Sequence, residues 1–456
     1  MRATRLPGSD RATARIRERR WWLSPRGVRG WWLVALLCGT ATASYLCRVN
    51  VSVVGVLLMK ELALDQVQMG RVFSAFLLGY ALAQVPAGLI ADRLGARLVL
   101  MLGAWWWVGA TLLQAFAGSW GGGATGSPAG TLAILLGARF LLGVGEAPTF
   151  TGAAQGISRW IEPRAHARAN GVVVAAVGLG SAIAPPLLTG AMLRVGWRGA
   201  LVVSALPALA IAVLWRFVRP EADRSGAETG GDRPEAGGAG ALTLSGAAGP
   251  SEAAGAPRLH RSQLAILTAS YTLQGYVGYI FVFWFYLYLV QERHFDLLRG
   301  AVLGSLPWIL TIVSVPLGGV VADRLASGGG GAWRWRVVPL VGLVGAGVFI
   351  AVGAHTSNAY TAAVSLAAAT GLVMCVEGPF WATMTRLSGG RAGMAGGIMN
   401  MGCNVGGLVS PALTPVIAAA IGWENALLVA AALSVAGGLL WLGIAPPQQG
   451  SHAQSS

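Results

Sequence analysis

The chain has 456 residues, of which 55% are hydrophobic and 11% charged, and its mean hydropathy is +0.61. A water-soluble protein of this length needs more polar surface, so the composition excludes that class and favours a multi-pass membrane protein. The net charge of +15 would suit nucleic acid, but the distribution of the basic residues excludes that partner.

Twelve apolar segments are long enough to cross a bilayer as helices, because about 20 residues span the hydrocarbon core. The chain contains 66 glycines, which suit close helix contacts in lipid. Numbered as spans 1 to 12, the segments are residues 31–57, 69–91, 97–117, 130–156, 167–193, 198–218, 262–290, 299–322, 336–354, 359–385, 392–420 and 424–444.

The basic residues are distributed unequally between the two sides of the membrane. Of the 33 Lys and Arg, 25 lie in the N-terminal tail and in the loops after even-numbered spans, and six lie in the other loops. The last two, Arg48 and Arg139, lie inside spans. The positive-inside rule then predicts both termini in the cytoplasm, and a bacterial inner membrane is the expected location.

A polar segment divides the chain into two halves. Residues 219–261 are rich in Gly, Ala, Pro and charge, and cannot bury enough apolar area to fold, so they predict a flexible linker. The predicted regions are a basic cytoplasmic tail (1–30), a six-helix bundle (31–218), the linker (219–261), a second six-helix bundle (262–444) and a cytoplasmic tail (445–456).

The two halves repeat each other. "GLIADRL" at 88–94 recurs as "GVVADRL" at 319–325, and "GEAP" at 145–148 recurs as "VEGP" at 376–379, both at the same offset along the chain. "GWR" at 196–198 matches "GWE" at 422–424 at a slightly shorter offset. This pattern predicts an all-α membrane protein in which two parallel six-helix repeats surround a central cavity.

Four charged side chains inside spans are the strongest functional signal: Arg48, Arg139, Glu146 and Glu377. A charge at bilayer depth costs about 3 kcal/mol on insertion scales, so such residues usually face a cavity or a partner. Their mixed sign predicts a pathway for an anion. The alternative is that they pair internally and only hold helices together.

Spans 1 and 2 contribute candidate ligands. Tyr45 and Arg48 share a face of span 1, because residues three apart are neighbours on a helix. Arg48 is a candidate anion ligand. Tyr80 of span 2 could contact a polar substrate group, although packing with one satisfied hydroxyl explains it equally well.

Span 4 carries Arg139 and Glu146, which are seven residues apart. That spacing corresponds to about 10 Å along the axis, too far for a direct ion pair. Arg139 is then free to bind a substrate carboxylate through its forked guanidinium. Glu146 is a candidate carrier of a coupling proton. Alternatively, Glu146 binds an arginine of another helix and never changes its protonation.

The second half offers further candidates. Glu377 and Trp381 share a face of span 10, and Asn400 of span 11 needs a polar partner from another helix or from the substrate. Gln274 of span 7 is a weaker candidate. The four cysteines form no CxxC pair, so no metal site is expected, and the only coupling ion expected is the proton.

Two charged segments at cytoplasmic loops are candidates for a conformational latch. An ion pair between the bundles that forms in one transport state and breaks in the other fits a bistable protein. A plain salt bridge at the membrane edge is the alternative. The latch candidates are Asp92, Arg93 and Arg97 after span 2, and Asp323 and Arg324 after span 8.

These patterns together resemble the major facilitator superfamily. "GxxADRxGxR" at 88–97 is similar to its loop signature. "YLCRVNVS", "FSAFLLGYALAQVPAGLIADRLGAR" and "RFLLGVGEAPTF" resemble the anion:cation symporter branch, which includes galactonate-type sugar-acid transporters, sialin and the vesicular glutamate transporters. The resemblance implies that Glu146 carries a coupling proton. It also implies an anion site formed by Arg48, Tyr80, Arg139, Trp381 and Asn400.

One position departs from the galactonate-type pattern, which has an aspartate immediately before the arginine of span 1. This chain has Cys47 there. One proton site of that pattern is therefore missing, and Glu377 is a candidate replacement. We expect coupling to one proton, or a different coupling, rather than to two.

The sequence thus predicts proton-coupled symport of a small organic anion, a carboxylate or sugar acid, by alternating access, for which a monomer suffices. No nucleophile motif, phosphate loop or metal cluster indicates an enzyme. Two alternatives stay open. One is a proton-driven exporter of anionic metabolites or drugs on the same fold, and the other is a membrane sensor that does not transport.

Overall fold

The computed structural model describes residues 25–119, 127–162, 165–218, 261–327, 333–388 and 391–444, and within these ranges the chain is helical apart from short connections. The predicted linker (219–261, except its last residue), the C-terminal tail (445–456) and most of the basic tail (1–30) lie outside the described residues.

The helices follow the predicted spans. In the first half they are Pro25–Glu61, Gln66–Ala115, Pro128–Glu146, Pro148–Trp160 and His166–Phe217. In the second half they are Arg261–Phe283, Phe285–Gln291, Leu297–Ser327, Arg334–His355, Ala359–Cys375, Glu377–Leu387 and Ala392–Leu440, followed by a short 3-10 turn, Trp441–Gly443.

Three helices are too long for one crossing, and each is interrupted at a glycine. Gly95, Gly196 and Gly422 have φ angles of 78°, 71° and 87°, a conformation that glycine adopts without steric cost. An unbroken helix of about 50 residues would be about 75 Å long, more than twice the hydrocarbon thickness. Each interruption therefore separates two spans, which gives the twelve crossings that the sequence predicts.

Helix breaks also occur at matching places in the two halves. Gly196 and Gly422 are the glycines of the matching motifs "GWR" and "GWE", so they occupy equivalent positions. Span 4 breaks between Glu146 and Pro148, where proline has no N–H to continue the helix. Span 10 breaks just before Glu377, which is the counterpart of Glu146 in the second motif copy. The two halves are therefore repeats in structure as well as in sequence.

The halves meet through two equivalent helix pairs, spans 2 and 11 and spans 5 and 8. Ser74 Oγ donates to the carbonyl of Leu408 over 2.7 Å, and Ser305 Oγ donates to the carbonyl of Ala182 over 2.6 Å. Ser305 is the repeat counterpart of Ser74, and Leu408 is that of Ala182, by the same offsets as the motifs on these spans. The interface between the halves is thus pseudo-symmetric.

Further contacts join the halves at the same end of the molecule. The Gln66 side chain donates to Oε1 of Gln291 over 3.2 Å and accepts from Nε1 of Trp423 over 3.0 Å. Phe73 stacks on Phe283 with 4.9 Å between the ring centroids. We call the end of the interface that contains these contacts the closed end. The central cavity lies beyond it, toward the opposite end of spans 2, 5, 8 and 11.

Gly70 lies at a close approach of span 2 to span 11. A Cβ added to Gly70 would overlap the carbonyl oxygen of Pro411, so Gly70→Ala must push the helices apart. If this overpacking destabilises the closed end by about 1.4 kcal/mol, the equilibrium shifts about tenfold toward the state in which the two halves are separated there. We expect about tenfold faster labelling of Ser74→Cys by a hydrophilic maleimide, in a chain whose four natural cysteines are replaced by alanine.

Gly109→Ala is the matched control, since a Cβ at Gly109 meets nothing within 4 Å. It should leave the labelling rate unchanged. Equal rates in the two glycine variants would show that the approach at Gly70 does not hold the halves together.

Candidate functional site

A cavity of about 480 Å³ lies between the two halves. Spans 1, 2, 4 and 5 form one wall, and spans 7, 8, 10 and 11 form the other. The predicted site residues that line it are Tyr45, Arg48 and Tyr80 from the first half and Gln274, Glu377, Trp381 and Asn400 from the second.

Arg48 and Glu146 form a buried ion pair at the first-half wall. Arg48 donates from Nε and Nη2 to the same carboxylate oxygen, Oε2 of Glu146, over 2.9 and 2.8 Å. Arg48 is 3% exposed and Glu146 is fully buried. The other oxygen, Oε1 of Glu146, has no hydrogen-bond partner among the described residues. Of the two possibilities that the sequence left for Glu146, contact with an arginine of another helix is therefore the one present in this conformation.

Aromatic rings surround the remaining side of the Arg48 guanidinium. Its Nη1 donates to the Tyr45 hydroxyl over 3.2 Å. Its central carbon lies 4.4 Å from the ring centroid of Tyr45 and 4.9 Å from those of Phe76 and Tyr80. Ring faces attract cations, so these contacts stabilise the charge and fix its position in the wall. Arg48 is thereby presented to the cavity in one defined orientation.

Arg139 occupies a different place from the one expected. Its side chain is fully buried and does not line the cavity. Its Nη2 donates to the main-chain carbonyl of Arg48 over 3.0 Å and its Nη1 to that of Cys47 over 3.5 Å. Because these carbonyls belong to span 1, Arg139 fastens span 4 to the turn that carries Arg48. In this conformation Arg139 holds the turn that carries Arg48 and does not line the cavity.

Replacement of Arg139 by glutamine should therefore act on stability. The variant loses charge-assisted hydrogen bonds to buried carbonyls, which contribute about 2 kcal/mol. We expect Arg139→Gln to lower the free energy of unfolding in detergent by about this amount, whereas Arg139→Lys should recover part of it. If Arg139→Gln unfolds at the same midpoint as the parent but binds anion more weakly, Arg139 contacts the anion itself.

Glu377 lies at the second-half wall among neutral donors. Its Oε1 accepts hydrogen bonds from the hydroxyl of Tyr271 and from the indole Nε1 of Trp381, the latter over 3.0 Å. Its Oε2 accepts a longer bond of 3.4 Å from Gln274. Three predicted site residues, Gln274, Glu377 and Trp381, thus form one connected group.

Cys47, the position that departs from the galactonate-type pattern, is fully buried within the first half. Its thiol donates to the carbonyl of Ser204 on span 6 over 3.5 Å. Ser204 also accepts from Asn50 through its hydroxyl over 3.0 Å. The thiol therefore packs away from the cavity. It is a small apolar group at the position where the galactonate-type pattern has an aspartate.

Among the latch candidates, Arg97 contacts its own half. Arg97 donates to the carbonyls of Trp215 and Arg216, both on span 6 of the same half. Arg93 is exposed. Asp323 and Arg324 lie in the last turns of Leu297–Ser327, and the side chain of Asp92 lies outside the described part of the structure. The latch between the halves stays a prediction.

The cavity residues that were not singled out from the sequence include Phe150, Trp308 and Cys403. Phe150 follows Glu146 by four residues, and its ring lies 6.3 Å from that of Tyr45. Helical spacing alone could have placed Phe150 beside Glu146. Trp308 and Cys403 lie on spans 8 and 11, and no pattern in the sequence separates them from lipid-facing or core residues of the same helices.

Two pseudo-symmetric bundles around a central cavity, with charged groups in the cavity wall and one end closed, form the architecture that is typical of membrane transporters built from repeats. The family model of the Major Facilitator Superfamily matches residues 36–411. The chain belongs to this superfamily, as its motifs predicted, and is a multi-pass membrane transporter rather than an enzyme.

Several transporters are similar to the chain over most of their length. The chain is 31% identical to the probable sulfoacetate transporter SauU of Cupriavidus necator, over 83% of this chain and 85% of that protein. It is 28% identical to the probable galactarate/D-glucarate transporter GudP of Bacillus subtilis, over 88% of each chain. It is 25% identical to a D-galactonate transporter of Escherichia coli, over 91% of this chain and 95% of that protein.

A solved structure supports the fold. A bacterial homologue of the human lysosomal transporter Spinster, in an inward-facing and unoccupied conformation, superposes with a TM-score of 0.71. The match covers 92% of this chain and 99% of that one at 16% identity. At this level of identity the likeness concerns the fold alone.

Proposed function

We propose that this protein is a proton-coupled symporter of a small organic anion, a carboxylate, sulfonate or sugar acid, in a bacterial inner membrane. The single observation that carries the proposal is the Arg48–Glu146 ion pair at the wall of the central cavity. An anion that binds Arg48 must compete with a carboxylate that the protein itself supplies.

Charge balance links the anion to a proton. The pair is neutral as it stands, so an anion bound at Arg48 would leave the fully buried Glu146 carboxylate without its partner. An isolated buried charge is strongly unfavourable. A proton on Glu146 removes that charge and releases Nε and Nη2 of Arg48, which then form the forked contact that suits a carboxylate or sulfonate. Anion and proton therefore bind together.

The relatives support the chemical class of the substrate. Their names specify sulfoacetate, galactarate or D-glucarate, and D-galactonate, all of which are small organic acids. An arginine fork does not distinguish carboxylate from sulfonate by charge. Gln274 and Asn400 line the same cavity, and in this proposal they contact hydroxyls of a sugar acid.

The direction that the cavity faces follows from the charge pattern. If both termini are cytoplasmic, the connection between spans 1 and 2, which precedes Gln66, is periplasmic, and so is the closed end. The structure then corresponds to an inward-facing state, from which the solute leaves to the cytoplasm. Transport requires the closed end, with its Ser74 and Ser305 hydrogen bonds, to separate in the alternate state.

Uptake by the purified protein in proteoliposomes tests the function. The probes are labelled sulfoacetate, galactarate and galactonate, each with and without an imposed pH gradient, beside protein-free liposomes. We expect at least one acid to accumulate when the outside is acidic, and a protonophore to abolish the accumulation. Binding without transport of any of the three would favour a sensor. Movement of the anion against the direction of proton flow would favour an exporter.

A further inference from the structure

We propose that Glu377 is a cation subsite, so that the preferred substrate carries an ammonium nitrogen as well as its anionic group, as amino acids and aminosulfonates do. This inference rests on the proposed anion site at Arg48. It concerns the opposite wall of the cavity, which the second half supplies.

The hydrogen-bond partners of Glu377 fit an ionised carboxylate. An ionised carboxylate only accepts hydrogen bonds, whereas a protonated one must also donate. The contacts to Glu377 come from a phenol, a primary amide and an indole, and the indole of Trp381 can only donate. The longer contact, from Gln274 to Oε2, leaves that oxygen able to accept a stronger bond from a ligand.

Glu377 has no positively charged partner in the part of the chain that the structure describes, since no lysine, arginine or histidine there forms an ion pair with it. Its repeat counterpart, Glu146, has such a partner in Arg48. The two carboxylates occupy equivalent positions in the repeats, but Glu377 lines the cavity and Glu146 contacts an arginine. A carboxylate that accepts hydrogen bonds from neutral donors only and is open to a cavity is suited to a cation that enters through the cavity.

The side chains around Glu377 also favour an organic ammonium. Tyr271, Tyr279 and Trp381 line the cavity together with it. The rings of Tyr271 and Trp381 meet edge to face, with 6.3 Å between centroids and an interplanar angle of 87°. Aromatic faces attract ammonium groups, and a carboxylate beside them adds a charge-assisted hydrogen bond.

The two walls therefore present opposite charges to one solute. Arg48 offers a cation on the first half, and Glu377 offers an anion on the second. A solute with an acid at one end and an ammonium at the other would contact both halves at once. Because closure over the solute requires contact with both walls, such a solute would stabilise the occluded state more than a plain anion does.

Matched ligands that differ only in the nitrogen test the proposal. The first pair is taurine and isethionate, which are two-carbon sulfonates, and the second pair is β-alanine and 3-hydroxypropionate, which are carboxylates. In each pair the first ligand has an ammonium group where the second has a hydroxyl. Binding is measured by calorimetry on the purified full-length protein at neutral pH. We expect at least one ammonium ligand to bind about tenfold or more tightly than its hydroxyl counterpart.

Variants assign the preference to Glu377. Glu377→Gln should remove the preference by weakening the ammonium ligand, with the hydroxyl ligand unchanged or tighter, and Glu377→Asp should retain part of it. The control Glu61→Gln, which alters a carboxylate paired with Arg198 at the end of span 1, should keep it in full. Thermal unfolding of each variant checks that it is folded.

Four results would overturn the inference. The first is equal binding within both pairs by the parent protein, and the second is no binding of any of the four ligands. The third is an unchanged preference in Glu377→Gln. The fourth is a parent protein that shows no ammonium preference, together with a loss of proton uptake in Glu377→Gln, which would make Glu377 a second proton carrier. If the proposed anion site at Arg48 were wrong instead, both members of a ligand pair would bind with the same affinity whether or not Arg48 is substituted.

Discussion

Glu146→Gln is expected to abolish accumulation driven by a pH gradient while it preserves exchange. Glutamine cannot ionise, so the variant holds Arg48 permanently free for the anion, and no proton needs to accompany the solute. In proteoliposomes the accumulation ratio should fall to about one, while counterflow of labelled solute against internal unlabelled solute continues. Dissociation constants sharpen this expectation, because anion affinity of the parent should be highest at low pH and fall as pH rises and Glu146 ionises. The affinity of Glu146→Gln should not follow pH in this way.

Glu61→Gln is the matched control for this experiment. It makes the same chemical change at a carboxylate that also pairs with an arginine, Arg198, but lies at the end of span 1 and outside the cavity. We expect it to keep both accumulation and the pH dependence of binding. If Glu146→Gln still accumulates solute to the parental ratio, the coupling proton is carried elsewhere.

Loss of the Arg48 guanidinium should remove anion binding. Removal of one member of a buried, hydrogen-bonded charge pair costs about 2–5 kcal/mol in binding, which corresponds to a dissociation constant at least about 30-fold higher. Arg48→Met alone would leave the Glu146 charge buried without a partner, so the informative variant is the neutral pair Arg48→Met/Glu146→Gln. It should fold and should bind none of the anions that the single Glu146→Gln variant binds.

Arg48→Lys separates charge from geometry. Lysine keeps the positive charge but has no planar fork, so it can contact an acid group at one point only. We expect a loss of affinity of about tenfold or more, smaller than that of the neutral pair. Arg299→Lys is the control, because Arg299 is an exposed arginine paired with Asp296 and remote from the cavity. Parental affinity in Arg48→Lys would show that the anion does not use the fork.

The sequence predicted the membrane class, the twelve spans and the two repeats because these depend on local composition and spacing. Charged residues are rare within apolar segments, so Arg48, Glu146 and Glu377 could be named as candidate site residues from the sequence alone. The sequence could not identify Arg48 as the partner of Glu146. Helical geometry relates residues of one span to each other, but it does not give the rotation of span 4 relative to span 1. The same reasoning correctly kept Arg139 and Glu146 apart, yet it could not place Arg139 behind the turn of Arg48.

The interface between the halves was likewise beyond the sequence. Ser74 and Ser305 are ordinary small residues of helices in lipid, and their hydrogen bonds depend on which end of the transporter is closed. A protein that alternates between two conformations has two sets of such contacts for one sequence. Local pattern carries no information about which set is formed.

The most direct measurement is the number of protons taken up when the anion binds. Purified protein in weakly buffered detergent solution, at a pH where Glu146 is ionised, is mixed with a saturating anion found in the uptake panel. A pH indicator then reports the protons removed from solution. The Arg48–Glu146 exchange predicts uptake of about one proton per bound anion by the parent and none by Glu146→Gln. Anion binding without proton uptake, or the same uptake by both proteins, would contradict it.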